Sequence, residues 1–371
     1  MTRVLLLGGG VAALLSLQLL LDRAEDLTGG RGQQPGGPLR VVWVVHRHGS
    51  ATASRSGGLS MRYASTDPRS DAWGARSTEV AYALAARHAV LRPHVRAATA
   101  TTVSRRGAVT GAAGAPVDPA SLGLDRHDHG WQHAPSPQWD TCGLLPRWAA
   151  ALAADPRVRL VEGVPPLRGV GDLLRLHDRY VADATLACLG LGGHVLGDAA
   201  MTGRLGLLLS GPLPPGLHAE GAVVDDDDVL RPRYTVPHRP LGSGPGSAHL
   251  HVGGTYLPVE DPADWDDPAR LAPLAHAEVP ALLGDAAELF PALGGWRPVG
   301  EPWWGIRPVR PTVALGRVAD AVVGARHVVV SHGWGGSGWT IGPAVSEEVA
   351  RSLLPGADAV DPLAGYGTWQ P

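Results

Sequence analysis

The sequence predicts an α/β fold of two domains, and three observations carry that prediction. An apolar strand-like run, Arg3-Val4-Leu5-Leu6-Leu7, leads directly into Gly8-Gly9-Gly10-Val11-Ala12-Ala13, the turn and helix start of a strand-turn-helix unit. A second glycine turn, from Gly333 to Gly338, precedes a helix-like run from Ile341 to Leu354 near the other end of the chain. With 371 residues and 44% hydrophobic content, the chain can bury two sizeable cores.

The N-terminal unit follows the pattern GxGxxA. Gly8 makes the turn, Gly10 lets a pyrophosphate approach, and the small Ala13 lets helix pack on strand. The helix N-terminus beyond it favours negative charge. The uncharged run from Val4 to Leu21 nears the length of a membrane span, but its glycines, Ser16 and Gln18 weaken that reading. No signal-type cleavage site follows Leu21 before Asp22-Arg23, so the run is placed inside the fold and the chain in the cytoplasm.

After an insertion rich in Gly, Gln and Pro, from Arg23 to Leu39, the strand Arg40-Val41-Val42-Trp43-Val44-Val45 ends at His46-Arg47-His48. A dinucleotide fold normally ends this strand with Asp or Glu on the ribose hydroxyls, and no carboxylate is present here. A neutral imidazole at His46 offers one donor and one acceptor to a ribose hydroxyl; alternatively the basic trio suits the 2′-phosphate of NADP.

The middle of the chain offers fewer chemical signals. His127, His129 and His133, with Asp125 and Asp128, follow no period that would converge them on a metal and read as exposed loop polarity. Asp225 to Asp228 lacks the glycine and spaced ligands of a calcium loop and reads as a solvated turn. Gly211 to Gly216 and Leu241 to Gly246 read as turns. The two cysteines exclude a disulfide framework, and Cys188, in the apolar strand Thr185 to Leu189, reads as a buried structural thiol.

Composition narrows the chemistry. A net charge of −3 points to neither nucleic acid nor an anionic membrane as partner. Lysine and asparagine are absent, which we read as the codon bias of a GC-rich genome, and a chain without lysine forms no Schiff base or internal PLP linkage.

Towards the C-terminus, Trp303-Trp304-Gly305-Ile306-Arg307-Pro308-Val309-Arg310-Pro311 places arginines among prolines, which restrict the backbone, and guanidinium is the side chain best shaped to hold a carboxylate at two points. Ser331-His332-Gly333-Trp334-Gly335-Gly336-Ser337-Gly338-Trp339-Thr340-Ile341 follows, a glycine loop able to bring backbone N–H groups against a flat ligand. Trp303, Trp304 and Trp339 either wall an apolar pocket or are core.

At these residues the sequence resembles the D-amino-acid oxidase family of FAD enzymes, which includes D-aspartate oxidase and, more distantly, glycine and sarcosine oxidases. Leu250 to Tyr256 is similar to the family's substrate-domain strand that ends in two glycines, and Tyr234-Thr235-Val236-Pro237 to the tyrosine-bearing strand before it. Ala184 to Gly193 and Gly203-Arg204-Leu205-Gly206 resemble the strand and Gly-Arg turn that join the two domains. The match runs over nearly the whole chain in the family's order, with residues 65–150 the least recognisable.

The resemblance implies a discontinuous Rossmann-like FAD-binding domain, residues 1–64, 155–202 and 303–371, and an antiparallel-sheet α+β substrate domain, residues 65–154 and 203–302. FAD would be held non-covalently, since neither cysteine lies in the C-terminal loop. Its contacts would come from Gly8, Gly10, Ala13, His46 and Arg47, and from Gly333, Gly335, Gly336, Ser337, Gly338, Trp339 and Thr340. Residues 51–63 would pass over the flavin, where Arg55 or Arg62 either adds a second anion contact, suited to a dicarboxylate or phosphonate, or is a surface arginine.

Arg307 would pair with the substrate carboxylate and Tyr234 would add a hydroxyl; by residue type alone, Arg307 could instead bridge backbone carbonyls and Tyr234 be a half-buried strand aromatic. Arg310 reads as structural. The implied reaction oxidises a C–N bond beside a carboxylate, with hydride passing to the flavin, an imine hydrolysed by water and oxygen reduced to peroxide. The lysine that sarcosine oxidases use beside the flavin has no counterpart. Alternatives are an oxidase of glycine, sarcosine or another N-substituted amino acid, including a biosynthetic tailoring enzyme, a member that has lost flavin chemistry and binds only, and an NADP-linked reductase. Expected partners are a small amine or amino-acid substrate, oxygen and a second copy in a homodimer, with no nucleic acid or membrane.

Overall fold

The computed structural model describes residues 2–29, 39–48, 53–56, 58, 67–105, 114–122, 124, 127–215, 217, 221–225, 227–228, 233–238, 249–356 and 361–370. Its strands are β1 (Thr2–Leu7), β2 (Leu39–Val45), β3 (Val95–Ser104), β4 (Gly114–Val117), β5 (His129–His133), β6 (Ser136–Trp139), β7 (Val158–Glu162), β8 (Ala184–Ala187), β9 (Thr202–Pro212), β10 (Gly221–Asp225), β11 (Arg233–His238), β12 (His249–Gly253), β13 (Leu257–Val259), β14 (Trp303–Val318), β15 (His327–Trp334) and β16 (Thr368–Trp369). The helices are α1 (Val11–Leu27), α2 (Ser70–Arg87), α3 (Thr141–Ala153), α4 (Val170–Arg179), α5 (Pro268–Leu289), α6 (Asp320–Val323) and α7 (Gly338–Leu353).

One sheet runs through the molecule in the order β4-β5-β3-β10-β11-β12-β9-β14-β15-β8-β1-β2-β7. The last five strands pair in parallel. Parallel strands are covered on both faces and need apolar residues on both, as β1 supplies. Val4 and Leu6 enter one core with Val41, Trp43 and Val45 of β2; Leu5 and Leu7 enter the other with Val42 and Val44. The first face is covered by α1 and α7, the second by α4 and α6. Residues 65–154 are expected from sequence in the substrate domain, yet Trp73, Val80 and Leu84 of α2 and Leu144, Trp148 and Leu152 of α3 join the core with α1 and α7.

β14 is the seam. It pairs antiparallel with β15 on one side and with β9 on the other, so its first half belongs to the antiparallel region and its second to the parallel one. Beyond β9 the sheet is mostly antiparallel, as expected, but β10 lies parallel to β3. Leu205, Leu207 and Leu209 of β9 and Leu250 and Val252 of β12 bury against Leu271, Ala275, Leu282 and Leu289 of α5. The alternate residues of the same strands point to the opposite face, where the site lies.

Several sequence expectations change. Gly203 to Gly206 is not a turn but lies inside β9; a Cβ at Gly203 would stand 2.4 Å from the Trp265 indole nitrogen, so the glycine makes room for an aromatic within extended chain. The final helix begins at Gly338, three residues before Ile341. Gly211 and Pro212 close β9. His127 is not exposed loop polarity: its buried side chain meets Asp225 Oδ2 at 3.2 Å, and Asp225 is itself buried on β10 rather than in a solvated turn. His129 stacks on Trp131 and His133 meets the Thr102 hydroxyl, so the three histidines diverge. Cys188 is buried and Cys142 exposed. Arg62, Asp125, Asp226, Gly216 and the turn from Leu241 to Gly246 lie outside the described residues. Among the described residues no helix is long and apolar enough to cross a membrane.

Candidate active site

Two glycine turns bring two helix N-termini together. Gly8 has φ +127°, and a Cβ there would lie 2.2 Å from the Cys188 carbonyl oxygen, so no other residue fits the turn without displacing β8. The turn is pinned by the Trp43 indole N–H, which donates to the Gly8 carbonyl at 2.7 Å. Gly10 caps α1 in extended conformation, and no acidic residue occupies the helix's first turn. Ala13 is fully buried. The Val11 N–H donates to Ser54 Oγ at 2.9 Å, which places residues 53–56 over this helix end.

Beside it, α7 starts at Gly338 with no acidic residue in its own first turn. A Cβ on Gly338 would lie 3.1 Å from Val11 Cγ1, and the Ser16 and Ser346 hydroxyls meet at 3.1 Å. Gly333 (φ +76°) and Gly335 (φ +57°) shape the loop before α7, and the Gly335 N–H donates to the Pro308 carbonyl at 2.7 Å, tying the loop to β14. Trp339 belongs to the core, its indole N–H on the Ser54 carbonyl at 2.9 Å; Thr340 is buried beside it. Two positive helix ends, side by side and free of acids, suit a ligand carrying phosphates and an electron-rich ring.

At the end of β2 the basic trio meets protein partners. Arg47 pairs with Asp266 at 2.8 Å and His48 with Glu162 at 2.6 Å, so neither is arranged as a free phosphate receptor. The exposed His46 has Nδ1 3.1 Å from the Val164 carbonyl oxygen. That contact assigns the proton to Nδ1, leaving Nε2 as an acceptor, the role a carboxylate plays on a ribose hydroxyl.

On the open face of the antiparallel region, Arg307 and Tyr234 lean towards each other over glycines. Tyr234 on β11 pairs with Gly253 on β12, and a Cβ there would be 2.2 Å from the tyrosine hydroxyl. Arg307 lies over Gly206 of β9, where a Cβ would be 2.3 Å from the guanidinium carbon. The strand order β11-β12-β9-β14 puts the two leaning side chains on one face, with Gly206 and Gly253 as the floor between them. Arg307 does bridge a backbone carbonyl, donating Nη1 to Thr255 at 2.6 Å, which holds the fork in place while its other N–H groups meet no further partner among the described residues.

Two residues on this face carry no prior assignment from sequence. Tyr256 lies beneath both Arg307 and Arg204, with guanidinium carbons 5.5 and 5.9 Å from its ring centroid. Its hydroxyl is 3.9 Å from where a Cβ of Gly335 would be, which joins this face to the glycine loop. Burial pushes the Tyr256 phenol up, against the pull of the two arginines. Both residues lie inside recognisable segments, but only the folded chain brings them together.

Arg310 takes the structural role expected of it. Its Nε meets Asp198 at 2.9 Å, and the buried His332 meets Asp198 Oδ2 at 2.8 Å. Burial depresses the His332 pKa; burial raises that of Asp198, but His332 and Arg310 outweigh it and hold the carboxyl below its ordinary range.

Residues 7–352 match the family DAO, FAD dependent oxidoreductase, so the chain belongs to that family of FAD-dependent enzymes. Among solved structures it is similar to the glycine oxidase from Geobacillus kaustophilus, with a TM-score of 0.69, 17% identity and 95% of each chain covered. It is also similar to the iminodiacetate oxidase from Chelativorans sp. BNC1, with a TM-score of 0.63, 17% identity and 94% of each chain covered. A third is NikD, an unusual amino acid oxidase essential for nikkomycin biosynthesis, with a TM-score of 0.64, 15% identity, and 97% of this chain and 96% of that one covered. No curated protein matches the chain. The family match answers the NADP-linked alternative: the cofactor is FAD.

Proposed function

We propose that this protein oxidises the C–N bond of an amino acid or related amine carboxylate, giving an imine that water hydrolyses. The observation that carries the reading is Arg307: a guanidinium fixed by the Thr255 carbonyl, laid over Gly206, with no further partner among the described residues, and joined through Tyr256 and Gly335 to the glycine loop. Two of the fold neighbours are named for oxidising glycine and iminodiacetate, both amine carboxylates, in keeping with it.

FAD, when bound, would supply the two-electron acceptor for the α-hydrogen, with oxygen as the final acceptor and peroxide as the product. Gly8, Gly10 and Ala13 would hold the cofactor's pyrophosphate at the α1 N-terminus, with His46 Nε2 accepting from a ribose hydroxyl; of the other expected contact, Arg47, the side chain is engaged by Asp266. Gly333, Gly336 and Gly338 would present backbone donors to the flavin ring, whereas the N–H groups of Gly335 and Ser337 are taken by the Pro308 and Trp334 carbonyls and only shape the loop. Arg307 holds the substrate carboxylate, and the Tyr234 hydroxyl adds a second contact. With the carboxylate fixed, the orientation of the α-carbon is set, and positioning supplies much of the rate. Neither cysteine lies in the glycine loop, and the cofactor is held non-covalently.

The test is an absorption spectrum of the purified protein before and after adding FAD, followed by denaturation and by turnover of glycine, N-methyl amino acids and D-amino acids. The expected result is flavin bands, free FAD released on denaturation, and bleaching with peroxide formed by at least one amine carboxylate. Flavin bands that no amine carboxylate bleaches would refute the proposed substrate class.

A further inference from the structure

Arg204 on β9 and Arg307 on β14 are register partners, so their side chains leave the sheet side by side. Like charges directly opposite each other on adjacent antiparallel strands repel. Both guanidinium groups also approach one aromatic ring, that of Tyr256. The half-buried Arg310 and the buried Arg157, by contrast, have their counter-ions, Asp198 and Asp155. Among the described residues, no carboxylate reaches ion-pair distance of Arg204 or Arg307, and the buried Arg204 Nε has no hydrogen-bond partner. Tyr256 is no substitute, because a phenol whose ionisation burial opposes stays neutral.

Holding two guanidinium groups together half-buried is unfavourable unless a ligand brings compensating charge. A single carboxylate balances one of them. We propose that Arg204 is a second anion-binding residue of this site, and that the preferred substrate is an amine bearing two carboxylates, one on Arg307 and the other on Arg204. This inference rests on the amine carboxylate reading above. It differs from the sequence expectation for Arg55 and Arg62: Arg55 is exposed and belongs to the short turn over α1.

The experiment titrates the FAD-loaded protein with acetate, malonate and succinate, read by the shift of the flavin bands and, independently, by calorimetry. Malonate or succinate is expected to bind about tenfold or more tightly than acetate, the worth of one further charge-assisted contact. Arg204→Gln should erase that preference, Arg204→Lys should keep part of it, and Arg307→Gln should weaken all three ligands. Equal affinity for acetate and both dicarboxylates in the unaltered protein would overturn the inference, whatever the variants do. So would an Arg204→Gln protein in which acetate weakens as much as succinate, since both arginines would then share one carboxylate. Flavin loading and acetate binding without a dicarboxylate preference would leave the amine carboxylate reading standing; absence of carboxylate binding by calorimetry would remove both.

Discussion

Arg307 and Arg310 stand three residues apart on one strand and are held in opposite ways, which separates their expected phenotypes. Arg310 neutralises the buried Asp198 that also meets His332. Removing one partner of a buried ion pair strands the other, so Arg310→Ala should cost about 3–5 kcal/mol in chemical denaturation. Among the described residues Arg307 has one partner, the Thr255 carbonyl. Arg307→Ala should cost only about 1 kcal/mol in stability but lower kcat/KM roughly a hundredfold, the worth of a lost two-point charge-assisted contact of about 3 kcal/mol. Similar stability losses in the two variants would contradict this division. Arg307 was legible from sequence because a guanidinium among prolines is chemically conspicuous. Arg204 was not, because a strand arginine is ordinary until its cross-strand partner is known, and a sequence does not print registers. Tyr256 is hidden for a related reason: it lies in the connection between β12 and β13, and only the folded chain sets it against the two arginines. His46 was legible as a departure, although which of its nitrogens faces Val164 belongs to the folded chain alone.

At the level of elements, the turn after β1 and the strand β8 depend on each other. Gly8→Ala would place a Cβ within 2.2 Å of the Cys188 carbonyl at a φ of +127°. Strain and clash together should cost about 3 kcal/mol or more and abolish flavin retention on gel filtration. Retention at the unaltered level would show that the turn relaxes freely. The same packing bears on the thiols: burial pushes Cys188 up to about 12, whereas Cys142 is exposed at the start of α3. One thiol should therefore react with a disulfide reagent in the native protein and two after denaturation. Both strand-turn-helix units were legible because glycine turns and apolar runs are local signals. The resemblance implies a Gly-Arg turn at Gly203 to Gly206, whereas these residues lie within β9, where the glycines accommodate Trp265 and Arg307. The burial of His127 against Asp225 was equally out of reach, because 98 residues separate them.

Across the whole molecule, four buried or half-buried histidines set where acid begins to weaken the fold. Burial depresses His177, His251, His327 and His332, with His251 brought down to about 3. In the unfolded chain each would titrate near 6.5, so below that pH the unfolded state binds more protons than the folded one and stability falls as pH falls. His251 alone, at up to about 1.4 kcal/mol per pH unit, would withdraw about 2 kcal/mol between pH 6.5 and 5. The carboxylates act later: burial opposes the ionisation of Asp67 and Asp155, yet their arginine partners hold both below the usual range, so their contribution is lost only as pH drops through about 4 and below. Unfolding midpoints should therefore decline in two stages, the first between pH 7 and 5. His251→Gln can keep the contact with the Ser210 hydroxyl, which lies 2.7 Å from His251 Nδ1, and should flatten that first stage. A midpoint unchanged from pH 7 to 5 would mean that the fold admits the protons, and that the His238 and His251 rings, 5.0 Å apart on the open face of the sheet, are reached by water.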